Sequence, residues 1–224
     1  MIGTFYMMES PSLLLTLMTF FIFSMGLANS AQTATQKKTY AFKVFLDDDE
    51  IGFQRFVVST KGTRTQIEVE AEFDVKYVFI TFYSYRHTNS ETWEGECLQK
   101  IQAKTNDNGE SLFVKGTSKG SQFQLQTHKG KQTLEGCIKT FAYWNPDWFQ
   151  SSRLLNSQTG ELQPVEIKTL GEESLPVRGA PTATKHHRII SDKFTIDLWY
   201  TMKDEWVGLQ STTQEGKKLR YELQ

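Results

Sequence analysis

From Lys38 onward, apolar side chains recur at every second position in short runs, and tight-turn residues separate the runs. Tyr40, Phe42, Val44 and Leu46 alternate, DDDE at 47–50 with Ile51-Gly52 turns the chain, and a second run covers Phe53 to Thr60. Lys61-Gly62 precedes Ile67, Val69, Ala71 and Phe73. A further run, Glu91 to Thr105, ends at Asn106-Asp-Asn-Gly109. Asn-Gly supplies the positive φ angles of a two-residue hairpin turn. Leu112 and Val114 follow, and Lys119-Gly120 and Lys129-Gly130 bracket Phe123 and Leu125. Four strands are expected near 183–190, 193–200, 205–211 and 217–223, with a loop at 172–182, where Pro176, Gly179 and Pro181 fall. A 3.6-residue period is nowhere convincing. About a dozen strands with hairpin-length connections predict an all-β fold, a mostly antiparallel up-and-down sheet. A flat sheet of that width would expose a large face, so strong curvature or an open barrel is expected, with a β-sandwich as the alternative.

The stretch FDVKYVFITFYSYRH, 73–87, reads as one strand that is apolar on both faces. Phe73, Val75, Tyr77, Phe79, Tyr83 and Tyr85 share one parity; Val78, Ile80 and Phe82 share the other. A strand on a half-solvated sheet should be apolar on one face only. The expectation is therefore that Tyr77, Phe79 and Tyr83 line a concave interior while Val78, Ile80 and Phe82 pack on the convex side or a neighbouring layer.

The N-terminal end is of a different kind. Leu13 to Leu27 is apolar but for Thr16, Thr19, Ser24 and Gly26, and small residues follow at Ala28 and Ser30. That run is shorter than the ~20 residues of a membrane span, so 1–30 reads as a signal peptide, with an uncleaved anchor as the alternative because the basic n-region is missing. Export then places the chain in the periplasm or outside the cell, with no stable membrane span after cleavage and one β domain over 38–224. Of 25 basic and 26 acidic residues only Glu9 lies in the leader, so the remainder is neutral. That balance argues against nucleic acid as a partner. The DDDE run lacks the alternating ligand spacing of a calcium loop and reads as a solvated turn.

Only Cys97 and Cys137 are present. In an exported chain two cysteines suggest a disulfide, and closing that loop is worth about 4 kcal/mol by chain entropy. The four histidines, His87, His128, His186 and His187, do not form a pattern of metal ligands, and they read as exposed strand or loop residues. Neither a metal nor a cofactor is expected. Glu91, Glu94 and Glu96 flank Trp93, and paired carboxylates beside a sugar-stacking aromatic can run glycoside hydrolysis. By spacing, Glu94 and Glu96 share a face and Trp93 lies on the other. The sequence has no nucleophile elbow and no phosphate-cradling glycine loop. The segment CIKTFAYWNPDWF, 137–149, is too aromatic for a solvated loop, and Pro146 bars it from a central strand. It reads either as a plug closing one end of the sheet or as the rim of an apolar pocket.

Several phrases together resemble an uncharacterised family of exported bacterial proteins. They are Glu91-Thr-Trp93 with Leu98, Thr105-Asn-Asp-Asn-Gly109, Cys137 with Phe141-Ala-Tyr-Trp-Asn-Pro146, and Leu155 with Thr159-Gly160-Glu161. Asp197-Leu-Trp-Tyr200, Trp206-Val-Gly-Leu-Gln-Ser211 and Leu219-Arg-Tyr-Glu-Leu223 complete the set. The layout is also similar to periplasmic curved-sheet proteins, including lipoprotein-localisation carriers that shelter lipid chains in an open barrel. The first resemblance implies no catalytic residues; the second implies, by fold analogy, an interior that takes an apolar or amphipathic molecule.

The expected role is thus non-enzymatic: binding or carrying such a molecule in the cell envelope, with Tyr77, Phe79, Tyr83, Trp93, Tyr143, Trp144 and Trp148 lining the site. An enzyme acting on envelope polysaccharide through the Glu91–Glu96 region is one alternative. A structural or partner-binding module is the other, and the sequence names no protein partner.

Overall fold

The structure is a computed structural model that describes residues 34–77 and 80–224; the expected signal peptide lies outside the described residues. Eight antiparallel strands follow one another as β1 (Gln36–Leu46), β2 (Asp49–Lys61), β3 (Arg64–Tyr77), β4 (Ile80–Glu94), β5 (Cys97–Asp107), β6 (Glu110–Lys119), β7 (Gln122–Thr127) and β8 (Gly130–Glu135). A 3₁₀ turn, Pro146–Gln150, and a small hairpin of β9 (Arg153–Leu155) and β10 (Leu162–Pro164) come next. The chain finishes with β11 (Glu166–Val177), β12 (Ala180–Ile190), β13 (Thr195–Thr201), β14 (Trp206–Thr212) and β15 (Lys218–Leu223).

Thirteen of these strands form one antiparallel sheet in the order β11-β12-β13-β14-β15-β1-β2-β3-β4-β5-β6-β7-β8. The last strand pairs with the first, Leu223 opposite Phe42, so both ends of the domain lie mid-sheet. The sheet is not closed: β8 and β11 are its two edges. The segment 136–165 leaves one edge and enters the other, so it must cross between them. The all-β, open, strongly antiparallel architecture expected from the alternation is the one observed.

Alternation sets the inner face. Tyr40, Phe42 and Val44 of β1, Ile67, Val69, Ala71 and Phe73 of β3, Phe123 and Leu125 of β7, and Leu198 and Tyr200 of β13 are buried. Of their neighbours of opposite parity, Gln66 and Glu68 are exposed and Glu70 is half-buried. Trp206 is fully buried against Phe42, Phe56 and Tyr143, with ring centroids 4.2, 5.1 and 5.3 Å apart. Burying such side chains is what stabilises the sheet, at roughly 25 cal/mol per Å² of apolar surface. Turn chemistry follows the sequence where turn residues exist: Asn108 and Gly109 take φ 50° and 96° between β5 and β6. Gly52 sits at φ 152° beside a register shift in the β1–β2 ladder; a Cβ there would lie 1.9 Å from the Glu72 carbonyl oxygen.

Two expectations about elements are corrected. The stretch 73–87 is not one strand but the tip of the β3–β4 hairpin, with Phe73 opposite Tyr85 and Tyr77 opposite Ile80. Between Tyr77 and Ile80 the sequence has no Gly, Pro, Asn or Asp, so no turn residue interrupts the alternation. Beyond Phe73 and Tyr85 the hairpin outruns β2 and β5. Ile80 and Phe82 are therefore 63% and 61% exposed, not packed on a convex layer; Val78 lies outside the described residues. The expected loop at 172–182 is the β11–β12 hairpin, turning at Arg178-Gly179 with φ 50° and 78°. Pro176 and Pro181 face each other at its tip, where β13 does not reach, so the missing N–H groups break no third-strand ladder.

Candidate functional site

The crossing segment 136–165 runs through the interior and lines an aromatic-rich cavity. Cys97 at the head of β5 is disulfide-bonded to Cys137, as the cysteine count suggested. Leu98 N–H donates to the Ile138 carbonyl at 2.9 Å, and Leu155 N–H to the Lys139 carbonyl at 2.8 Å, so the segment is threaded onto β5 and β9 by backbone bonds. Ile138, Ala142, Leu154 and Leu155 are buried in the main core. The Tyr200 hydroxyl donates to the Tyr143 carbonyl at 2.8 Å. At the other end Glu161 pairs with Lys129, in the β7–β8 turn, at 3.0 Å and with Lys193, in the β12–β13 turn, at 2.7 Å. These two lysines hold its carboxyl well below the usual range, at about 2. The segment is the plug that its aromatic density predicts, and it also forms a wall of the cavity.

That cavity, of ≈ 250 Å³, lies between β2–β4, the plug and β13–β15. The plug contributes Phe141, Tyr143 and Trp144, and β15 contributes Tyr221. Burial pushes the phenols of Tyr143 and Tyr221 above their ordinary range. The same cavity is lined by a polar row from the inner face of β4: His87, Asn89 and Glu91, at strand spacing i, i+2, i+4. Trp93 continues it. Flanking strands offer this row mostly apolar partners, Ala71, Val69 and Ile67 on β3 and Ala103 and Ile101 on β5, with Thr105 opposite His87.

The row is internally bonded. Glu91, 4% exposed, accepts from Asn89 Nδ2 at 2.8 Å, from Trp93 Nε1 at 2.8 Å and from Thr140 Oγ1 of the plug at 3.3 Å. Burial holds its carboxyl above the usual carboxylate range, and the three hydrogen bonds work the other way. His87 Nδ1 lies 2.8 Å from Thr105 Oγ1, and burial pulls its imidazole down to about 4, so the ring is neutral at pH 7. Asn89, 5% exposed, spends its amide N–H on Glu91. Its Oδ1 is buried and has no hydrogen-bond partner among the described residues.

The residues expected to line a site are distributed unevenly. Tyr143 and Trp144 line the cavity. Trp93 is buried behind it, packed edge-on to Trp144 at 5.8 Å, and holds Glu91 rather than facing open space. Tyr83 is half-buried on the hairpin, away from the cavity, and donates to Asp107 at 2.7 Å. The side chains of Tyr77, Phe79 and Trp148 lie outside the described residues. Glu94 and Glu96 are exposed, whereas Glu91 shares the buried face with Trp93. The histidines are not uniformly exposed either. His87 and His187 are buried, His187 stacking on Phe149 at 4.1 Å, and His186 is half-buried between Glu173 and Asp197 at 2.8 and 2.7 Å. Their strands carry polar residues at both parities, so alternation could not mark the buried ones. Among the described residues no group of three or more His, Cys, Asp or Glu is placed to hold a metal, and no helix is long and apolar enough to cross a membrane.

Residues 42–224, which carry the sheet, the plug and every lining residue, match the family model of a domain of unknown function, DUF6134. The chain belongs to this family. No curated protein matches it. Among solved structures, the DUF6134 chain is similar to a crystal structure of a beta-barrel-like protein of domain of unknown function DUF1849 from Brucella abortus. The TM-score is 0.61 at 9% identity, covering 87% of this chain and 98% of that one. Such a likeness carries the barrel-like fold and no residue roles.

Proposed function

We propose that this chain is an exported, non-enzymatic binding protein that holds an apolar or amphipathic small molecule inside its open barrel. The observation that carries the reading is the cavity itself: aromatic residues supplied by the plug and a polar row supplied by β4 line one space. Ligand sites combine apolar lining with a few placed polar groups in this way. At ≈ 250 Å³ the space falls just below the ~300–1,000 Å³ of drug-sized sites, which suits a small molecule better than a whole lipid. Glycoside hydrolysis needs two carboxylates about 5–9 Å apart across a substrate. Glu91 is the single carboxylate among the described lining residues, which favours binding over hydrolysis.

Trp144 makes the reading testable, since an occupant would change its emission. Low-molecular-mass fractions extracted from the host envelope should be added to the purified protein, with tryptophan emission and Tm followed together. A fraction holding a ligand at ~100 times Kd stabilises by ~2.7 kcal/mol, a rise of roughly 5–10 °C for a domain of this size. The emission change should vanish in Trp144→Phe. If no fraction moves either signal, the interior is a core and the structural-module alternative takes over.

A further inference from the structure

The polar half of the cavity is one-sided in charge. Among its described lining residues Glu91 is the only acidic side chain; no Lys or Arg lines it, and His87 is neutral at pH 7. An anionic head group would therefore meet a carboxylate and find no countercharge, at a depth where unpaired charge is most costly. The acceptors, by contrast, are in place. Asn89 Oδ1 is buried, on the cavity side of β4, with no partner among the described residues. Its orientation is set by the 2.8 Å bond from Nδ2 to Glu91, because the flipped amide would turn oxygen toward oxygen. The three donors on Glu91 leave one of about four carboxylate acceptor positions open. Trp144, Tyr143 and Tyr221 line the same space.

We propose that the molecule held here carries a primary ammonium group on an apolar body, with the ammonium seated against Asn89 Oδ1 and the Glu91 carboxylate and the body against the plug aromatics. This rests on the interior-binding reading above and narrows its ligand class to amines, away from fatty acids and phosphate-bearing lipids. The ammonium satisfies the orphan acceptor and pairs with the Glu91 carboxylate. The apolar body replaces water on Trp144 and Tyr143.

The test is a matched trio, hexylamine, hexan-1-ol and hexanoate, titrated into the intact protein near neutral pH at fixed ionic strength, read by calorimetry and tryptophan emission. The amine should bind roughly tenfold or more tighter than the alcohol, the margin a charge-assisted hydrogen bond provides, with hexanoate weakest. In Glu91→Gln the amine should fall to within a few-fold of the alcohol while alcohol binding holds. Asn89→Leu should weaken the amine too and serves if Glu91→Gln does not fold. Hexanoate binding as well as the amine, or an amine preference surviving Glu91→Gln, overturns the proposal. If none of the trio binds but an envelope fraction still stabilises the protein, the ammonium assignment falls and the binding reading stands. If neither binds, both fall.

Discussion

Acidification should destabilise this protein through His87, and the structure sets the size of the effect. The ring lies on the inner face of β4, 4% exposed, between Ala71 and Thr105 on the neighbouring strands. Burial lowers its pKa from 6.5 to about 4, whereas the unfolded chain titrates near the ordinary value. Between those limits the unfolded state binds more protons, so stability rises with pH there. The contribution is fully present above about pH 6.5 and is lost as pH falls toward 4; the whole shift is worth about 3 kcal/mol. Glu91 runs in the opposite sense. Its folded pKa is raised from 4.5, so stability is lost as pH rises through that raised value. His187, also lowered by burial, adds to the trend of His87. A single stability curve mixes these groups, so the useful quantity is the difference between the natural protein and His87→Leu. Urea unfolding at pH values from about 7 down to about 4.5 should show that difference moving by about 2–3 kcal/mol against the natural protein. Parallel curves would refute the argument, because they would mean that His87 titrates alike in both states and that the inner face of β4 is wet.

Other perturbations separate the hairpin tip from the core. Phe82→Ala, at the exposed tip, should change stability by less than ~0.5 kcal/mol, while Phe123→Ala, in a 1%-exposed site over Gly116, should cost ~3–5 kcal/mol in the same unfolding assay. Gly52→Ala should lower Tm by roughly 4–8 °C, reflecting about 2 kcal/mol of strain, since its Cβ would press on the Glu72 backbone. Unreduced protein from an oxidising compartment should carry no free thiol by alkylation and mass; reduction should free Cys97 and Cys137 and lower stability by up to about 4 kcal/mol.

Period-two alternation made most strands legible, because one parity of each was apolar and the other polar or charged, as in Ile67, Val69 and Ala71 against Gln66, Glu68 and Glu70. Turns were legible where glycine or asparagine announced them, as at Asn108-Gly109. They were invisible where the reversal between Tyr77 and Ile80 used apolar residues, and misleading where Pro176 and Pro181 sat harmlessly at a hairpin tip. The aromatic plug could be read from density alone. The polar row could not. In HTNSETW both parities are polar until Trp93, so nothing in the residues says which face is buried. The usable signal was continuity: carrying the parity of Tyr85 forward places His87, Asn89, Glu91 and Trp93 on the inner face. The plug partner of Glu91, Thr140, is 49 residues away and belongs to three-dimensional structure only.

Native mass spectrometry of the protein purified from its own host, without detergent or organic solvent, tests the central claim most directly. Occupancy of the cavity predicts a population heavier than the bare chain by one small molecule, released on denaturation, with an amine identifiable in the released fraction and the adduct lost in Glu91→Gln. A single species at the mass of the disulfide-bonded chain, unchanged by incubation with envelope extract, would contradict the account and leave the interior as a packed core.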